Sequence, residues 1–186
     1  MSGGHGHVDG SNKRIALLVA ILAALLAVSE MGGKSSQTNA LASHIDASNL
    51  WSFFQSKTIR QTTLRTAAEE VDATYKDGPA PMPPALKAQA DRWRQAAQRY
   101  DTEPETGEGR KELAARAKAK EAHRDRSMAA YHMFEYGSAC FQLAIVLAGA
   151  AALTSVIWLT FLSIGLGIGG FGFTVLAFVA PTLVHL

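Results

Sequence analysis

The last fifty residues of the chain, 137–186, contain no Asp, Glu, Lys or Arg. A second uncharged run covers residues 15–29, and residues 32–136 between the two runs carry thirty of the thirty-four charges. A soluble domain distributes charge over all of its surface elements, so this segregation excludes a simple globular fold. The sequence therefore predicts an all-α membrane protein with a polar middle.

The uncharged tail predicts a transmembrane helical hairpin over residues 137–186. A membrane-spanning helix needs about 20 apolar residues, so a run of fifty is long enough for two. We place the turn between them at Thr154-Ser155 and the end of the last helix at Pro181, because proline cannot continue a helix. Together with the first uncharged run, the sequence predicts three transmembrane helices.

The first uncharged run predicts a transmembrane helix over residues 15–31, preceded by a flexible tail over residues 1–14. Lys13 and Arg14 stand directly before the apolar residues. A basic segment followed by an apolar run is also typical of a cleaved signal peptide, with Ala27-Val28-Ser29 as the possible cleavage site. We favour an uncleaved anchor.

Residues 32–136 predict a long antiparallel helical stalk with a coiled-coil-like pattern. No proline or glycine interrupts residues 35–76, and residues spaced alternately by four and three form a heptad seam, which is typical of a helix that packs along a partner helix. A proline-rich tip at 77–84 and a polar break at 101–109 interrupt the stalk. The heptad seam consists of Leu50, Phe54, Lys57, Gln61, Leu64, Ala68, Val71 and Tyr75.

Homo-oligomerisation is the expected consequence of this stalk. Its returning half is rich in alanine and has little apolar bulk to bury, so a lone hairpin would be marginally stable. We expect several stalks to pack together through Leu50, Phe54, Leu64 and Val71. In the last transmembrane helix, Gly165, Gly169 and Gly172 are spaced for close helix packing within or between subunits. A flexible gate or a pore lining is the alternative function of these glycines.

Four neighbouring residues are the candidates for a ligand site in the stalk: Trp51, Gln55, Lys57 and Arg60. Lys57 and Arg60 could hold an anionic ligand or a lipid headgroup. The alternative, which we favour, is that the polar residues fix the register of packed helices.

Metal, cofactor and catalytic sites are not predicted. His132, Glu135 and Tyr136 precede the second membrane helix and His185 follows the third, which would allow a metal or proton-relay site, but interfacial anchoring is the simpler interpretation. His5-Gly6-His7 in the tail predicts at most weak metal binding. The only cysteine, Cys140, excludes a disulfide within the chain, and the net charge of +2 does not favour nucleic-acid binding.

Two stretches of the chain, Gly33–Ala40 and Asn49–Gln61, are distinctive, and the second contains a Trp-x-x-x-Gln-x-Lys pattern at Trp51, Gln55 and Lys57. These stretches resemble a bacterial membrane-protein family called "domain of unknown function 4337". The order of parts is similar along almost the whole chain, with an amino-terminal span, a charged middle and a carboxyl-terminal hairpin. The resemblance implies no activity.

These features predict an oligomeric scaffold or interaction protein that is not an enzyme. A pore-forming channel or an accessory subunit of a transport complex is the alternative. The expected partners are the lipid bilayer, further copies of the chain and other membrane proteins. Lys13 and Arg14 before the first span favour an exported stalk on the periplasmic side of a bacterial inner membrane, whereas Lys118, Lys120 and the arginines at 124 and 126 favour the cytoplasmic side.

Overall fold

The computed structural model describes residues 10–76 and 78–183, and within these ranges the chain is helical without a strand. The helices are α1 Gly10–Lys76, α2 Pro84–Asp101, α3 Arg110–Thr154 and α4 Ile157–Val179. The predicted all-α class is confirmed. His5, His7, Asp77 and His185 lie outside the described residues, so the predictions that concern them are not tested.

The helix ends lie at the breakers that the sequence provides. α2 begins with Pro84 in its first turn, where a missing N–H has no intrahelical partner to lose. α3 and α4 are separated by Ser155, whose φ of +59° is a left-handed conformation that ends a helix. α4 ends two residues before Pro181. The polar break separates α2 from α3 where the sequence placed it.

Helix α1 is longer than the sequence analysis predicted. The structure joins residues 10–14 of the predicted flexible tail, the first span and the first arm of the stalk into one helix of 67 residues. No proline interrupts these residues, and a glycine inside a helix costs only about 1 kcal/mol. Gly32 also has a packing role, because a Cβ at this position would lie 2.5 Å from Cζ of Phe134.

Residue contacts divide the chain into two units, each of which contains part of α1 and part of α3. The residues up to Leu41 together with those from Arg124 onward form one unit, which we call the apolar unit. Residues 42–123 form the other, which we call the polar unit.

The apolar unit contains the parts of α1, α3 and α4 with the highest mean hydropathy. In the described residues, three helices are long and apolar enough to cross a membrane, as predicted. They pack through large buried side chains such as Phe134 and Phe141 and, where α3 crosses α4, through small residues: a Cβ at Gly137 would lie 2.7 Å from Thr174 Oγ1 and 3.1 Å from the carbonyl oxygen of Gly170. The Ser29 hydroxyl is buried at the same crossing and donates to the carbonyl of Phe134 at 3.0 Å.

In the polar unit, α1 runs antiparallel to α2 and the first part of α3. Asp72 of α1 pairs with Arg94 of α2, whereas Ser43 hydrogen-bonds to His123 of α3 at 2.9 Å. All eight residues of the heptad seam are buried or half-buried. Residues 78–83 of the tip precede α2, and the break at 102–109 connects α2 to α3. Both helices return along α1.

Candidate functional site

The four residues predicted as a ligand site lie on α1 in the polar unit but point in different directions. Lys57 is buried, Trp51 is half-buried, and Gln55 and Arg60 are exposed. The indole Nε1 of Trp51 donates to Glu121 Oε1 at 2.8 Å. The structure therefore divides the predicted set between an inner and an outer face of the helix.

Lys57 is held by acidic and aromatic side chains from the break at 102–109 and its surroundings. Its Nζ lies 3.4 Å from Glu103 Oε2 and 3.6 Å from Glu108 Oε2. The ammonium also lies 5.2 Å from the ring centroid of Phe53 and 5.8 Å from that of Tyr100, within the range of cation–π attraction. The Lys57 side chain is only 8% exposed, so these partners replace most of its hydration.

Arg110, the first residue of α3, makes a second set of contacts beside Lys57. Its Nε donates to Thr58 Oγ1 at 2.9 Å, its Nη1 to Gln61 Oε1, and the same Nη1 lies 3.3 Å from Asp101 Oδ1. Its guanidinium carbon lies 5.0 Å from the ring centroid of Phe54. We refer to Lys57, Gln61, Asp101, Glu103, Glu108 and Arg110 together as the polar junction.

The polar junction connects α1 to both returning helices. The side-chain amide of Gln61 donates to the carbonyl of Ala97 on α2 at 3.0 Å, and its oxygen accepts from Arg110 on α3. Both polar groups of this buried amide are therefore satisfied within the unit. Lys57 and Gln61, the two polar members of the heptad seam, therefore contact the region where α2 ends and α3 begins.

The break at 102–109 is an ordered loop because its own residues close it. Gly107 has a φ of +67°, which glycine adopts without strain, and its carbonyl accepts from Arg116 Nη1 at 3.2 Å. A Cβ at Gly109 would collide with the backbone N of Glu103, which in turn donates to Glu112 Oε2 at 3.3 Å. The loop therefore presents its carboxylates to Lys57 in a fixed position.

Two carboxylates of the polar junction have shifted acidities. A hydrogen bond from Lys57 and its positive charge lower the pKa of Glu103 below its usual value. A hydrogen bond from Lys111, with the charges of Lys111 and Arg110, lowers the pKa of Asp101. Both groups are therefore ionised at neutral pH, and their negative charges balance the cations beside them.

The polar junction has the composition of a register-fixing contact. Its cations are paired with carboxylates of the same chain, and no buried side-chain nitrogen or oxygen of the described residues lacks a hydrogen-bond partner. Lys57 and Arg60 do not converge on a shared anion site, because Lys57 faces the glutamates and Arg60 lies on the exposed face. Of the two functions considered for these residues, helix register is the one that this geometry favours.

The residues predicted as an oligomer seam face the returning helices of the same chain. Leu50, Phe54, Leu64 and Val71 are half-buried on the side of α1 that carries Lys57 and Gln61. Their packing is thus accounted for within the polar unit, and their use between copies stays a prediction. A contact between copies would have more free surface on another face of α1.

The predicted packing glycines of α4 are not used within the chain. A Cβ at Gly165, Gly169 or Gly172 would meet nothing within 4 Å. The buried small residues of α4 are instead Gly167 and Gly170, where a Cβ would meet Leu22 Cδ2 at 2.8 Å and the carbonyl of Gly137 at 3.0 Å. Gly165, Gly169 and Gly172 therefore make no close contact within the chain, and their packing between copies stays a prediction.

A second candidate site is an open groove between α1 and α3 in the apolar unit, with a volume of about 660 Å³. Its charged lining residues are Glu30, Lys34 and Glu135, and Gln142 Nε2 lies 3.4 Å from Glu30 Oε1. In the sequence, this groove is indicated only by the charged residues that flank the two uncharged runs.

The predicted cluster before the second span forms contacts with its own helix. Glu135 accepts a hydrogen bond from the Tyr131 hydroxyl at 2.8 Å and lies 3.2 Å from His132 Nδ1. His132, Glu135 and Tyr136 are exposed. In the part of the chain that the structure describes, no three His, Cys, Asp or Glu side chains are grouped to hold a metal ion.

Sequence analysis missed Glu103, Glu108 and Arg110 as partners of the heptad seam. The available signal was the seam itself, because Lys57 and Gln61 occupy positions that an apolar residue normally takes. Two polar residues in successive seam positions require polar partners across the interface. The break at 101–109 contains those partners, but its folded path determines which of them reach α1.

A family model described as "Domain of unknown function (DUF4337)" matches residues 11–180 of the chain. No curated protein and no solved structure matches it.

Proposed function

Because the chain belongs to the family described as "Domain of unknown function (DUF4337)", which assigns no activity, we propose its role from its own surfaces: an oligomeric membrane scaffold or interaction protein. In this proposal the apolar unit is inserted in the bilayer. The polar unit is a coiled-coil-like stalk in water that presents a helical surface to partners.

The distribution of exposed apolar side chains carries this proposal. Of the 25 large apolar residues that are exposed in the described ranges, 22 belong to the apolar unit and three to the polar unit. Exposed apolar area on this scale is unstable in water and is typical of surfaces that contact lipid or protein. Trp158, which is 76% exposed beside the turn between α3 and α4, fits an interfacial aromatic anchor.

The buried polar groups of the apolar unit favour a role in helix packing and not in lining a pore. Channels need polar or charged groups along a water-filled path. Ser163 is buried and donates to the carbonyl of Ala144 at 2.7 Å, and Thr174 is buried and donates to the carbonyl of Gly170 at 2.9 Å. The Ser163 bond joins α4 to α3 and the Thr174 bond lies within α4, so both hydroxyls are satisfied by backbone carbonyls. We therefore propose a structural role for them and a non-catalytic role for the protein.

We propose a bacterial inner membrane as the location, with the polar unit on the periplasmic side. Lys13 and Arg14 precede the first span, and basic residues at the start of a first helix usually remain in the cytoplasm. The basic residues of α3 before the second span favour the opposite orientation, and a labelling experiment distinguishes the two.

Cysteine labelling in spheroplasts tests insertion and orientation together. Single cysteines are placed at Ser48, which is exposed in the polar unit, or at Ser2, in a background with Cys140→Ser. An impermeant maleimide should label the Ser48→Cys chain in intact spheroplasts and the Ser2→Cys chain only after lysis. The reverse pattern would contradict the proposed orientation, and release of the protein from membranes by alkaline carbonate would contradict insertion.

Cross-linking in native membranes tests the oligomer. An amine-reactive cross-linker should join copies of the wild-type chain into dimers or larger species, since exposed lysines such as Lys118 and Lys120 are available. A product that remains monomeric at all cross-linker concentrations, together with a monomer mass in detergent by light scattering, would contradict the oligomeric scaffold.

A further inference from the structure

Helix α1 carries a second heptad stripe on the face that turns away from α2 and α3 in the polar unit. Its positions alternate by three and four, like those of the heptad seam, and all of them are exposed. We call this set the outer stripe. It consists of Ala42, Ile45, Asn49, Ser52, Ser56, Ile59, Thr63 and Thr66.

We propose that the outer stripe is the contact surface for the α1 helix of a second copy of this chain, arranged parallel and in register. This inference rests on the proposed function, because copies inserted in one membrane share an orientation. It names a different face of α1 from the heptad seam, whose residues already pack within the chain.

From Ala42 to Thr66 the outer stripe contains no charged residue, although it lies in the charge-rich part of the sequence, and it ends before Glu70, the next position of the same spacing. The exposed faces of α2 and α3 in the same unit show the contrast, because they carry eight charged residues, seven basic and one acidic. Those charged residues are Lys87, Asp91, Arg92, Arg99, Lys111, Arg116, Lys118 and Lys120. A surface that meets its own copy in register must avoid charge, since each charge would face an identical one. The outer stripe meets that condition and the other faces do not.

The hydroxyl groups of the outer stripe are largely satisfied before any partner binds. Ser52 donates to the carbonyl of Ser48 at 2.9 Å, Ser56 to that of Ser52 at 3.0 Å, and Thr63 to that of Ile59 at 2.9 Å. Burial of a polar group is costly only when its hydrogen bond is lost. These side chains can therefore be covered by a second helix at a low polar cost.

The surface of α1 also has a hollow of the shape that helix packing requires. The hollow is open, because α1 alone lines it, and Glu70 lies at its carboxyl-terminal edge. Ile59, Thr62, Thr63 and Thr66 belong to its lining. Their spacing of i, i+3, i+4 and i+7 is that of the four residues that receive one side chain of a facing helix in a coiled coil. In a parallel pair, the side chain that enters this hollow is Thr63 of the second copy.

Three residues of the outer stripe set the register of the pair. Ile45 and Ile59 are 51% and 60% exposed and are separated by two heptads, so each would meet its counterpart in an apolar layer. Asn49 lies between them, and a single asparagine in a seam favours one register because its amide pairs with the same amide across the interface.

Disulfide cross-linking with a matched control tests this face. In the Cys140→Ser background, Ser52→Cys places a thiol on the outer stripe, and Ala119→Cys places one on the exposed, charged face of α3 in the same unit. After mild oxidation of native membranes, the Ser52→Cys chain should shift from monomer to disulfide-linked dimer, and the Ala119→Cys chain should stay monomeric. Equal cross-linking of the two variants, or cross-linking at Ala119→Cys alone, would overturn the proposed face while leaving the oligomer in place.

A charge placed in the stripe provides the second arm of the test. Ile59→Glu should reduce the mass of the detergent-solubilised particle to that of a monomer, whereas Ala119→Glu should leave the mass unchanged. Both side chains are exposed in the single chain, so neither change disturbs its fold, and an unchanged helical circular dichroism signal verifies this. An Ile59→Glu particle of wild-type mass, or a Ser52→Cys adduct with a different protein, would overturn the inference. A wild-type chain that is monomeric throughout would overturn the oligomeric scaffold as well.

Discussion

The apolar and polar units share two long helices but differ in the side chains that cover their surfaces. In the apolar unit many large apolar residues are exposed, as Phe161, Ile168 and Val179 are, while Phe141 is buried and the crossing of α3 and α4 is made by Gly137 and Gly170. In the polar unit the half-buried interior contains Phe54, Trp93 and Tyr100, while the exterior of α2 and α3 is charged.

The difference follows from what surrounds each unit in the proposed arrangement. In water, burial of apolar area drives helices together at about 25 cal/mol per Å², so large side chains belong inside. In lipid no such driving force exists between helices, and close contact through small residues with a few hydrogen bonds must hold them. The two units therefore predict different responses to the same kinds of substitution.

Gly137→Ala should lower the stability most, because it disrupts a close contact between helices of the apolar unit. The new Cβ would lie 2.7 Å from Thr174 Oγ1, 3.0 Å from Ser29 Oγ and 3.1 Å from a backbone carbonyl, so the helices must separate. Overpacking of this kind costs about 1–3 kcal/mol, and we expect the upper end because hydroxyl contacts are lost as well. The measurement is the midpoint of SDS-induced unfolding in mixed micelles.

Gly169→Ala is the matched control for this substitution. The added methyl group meets nothing within 4 Å, and alanine favours a helix over glycine by up to about 1 kcal/mol. The control should therefore unfold at the same SDS fraction as the wild type or a higher one. Equal destabilisation by the two substitutions would contradict the claim that close helix contact at Gly137 stabilises the apolar unit.

Lys57→Met should have the next largest effect, and it should be confined to the polar unit. Removal of a fully buried ion-pair partner costs about 3–5 kcal/mol, but Glu103 and Glu108 are 25% and 50% exposed, so we expect about 2 kcal/mol. Hydrogen exchange of the full chain in detergent should show faster opening around residues 97–110. Amides of the apolar unit should be unaffected.

Arg60→Met is the control for Lys57→Met, since it removes the same type of charge three residues away on the exposed face. Surface substitutions of this kind change stability by less than about 0.5 kcal/mol. If Arg60→Met accelerated exchange as much as Lys57→Met does, the two cations would share a site and the register interpretation would fail.

Acidification should produce the smallest effect, again in the polar unit. The pKa values of Glu103 and Asp101 are lower in the folded chain than in the unfolded one, so their ion pairs stabilise the fold above about pH 4.5. This stabilisation is lost as the pH falls below that value through the folded pKa values. Hydrogen exchange near residues 101–110, corrected for intrinsic rates, should accelerate below pH 4.5, and Glu103→Gln should flatten this dependence.

The helices and the heptad seam could be predicted from sequence because their signals are local. Prolines mark the tip and the end of α4, and the four-and-three spacing from Leu50 to Tyr75 identified the inward face of α1 before any partner was known. The polar and apolar residues of this helix lie on different faces, so the sequence alone predicts which face is buried.

The packing face of α4 could not be predicted because this helix is apolar on every side. Gly165 and Gly169 form a small-residue motif, but Gly167 and Gly170 make the contacts, and only the positions of α1 and α3 distinguish the two sets. The partners of Lys57 were also out of reach, since they depend on the folded path of a loop that begins 45 residues away.

The double pattern of α1 in the polar unit restricts how related chains can vary in length. An insertion of one residue within 42–66 rotates everything that follows by about 100°, which turns Lys57 or Gln61 away from the loop that holds them. Seven residues restore the orientation of both the heptad seam and the outer stripe. Insertions and deletions in this part of the helix are therefore compatible with both surfaces only in multiples of seven, each balanced by an equal change in the returning helices.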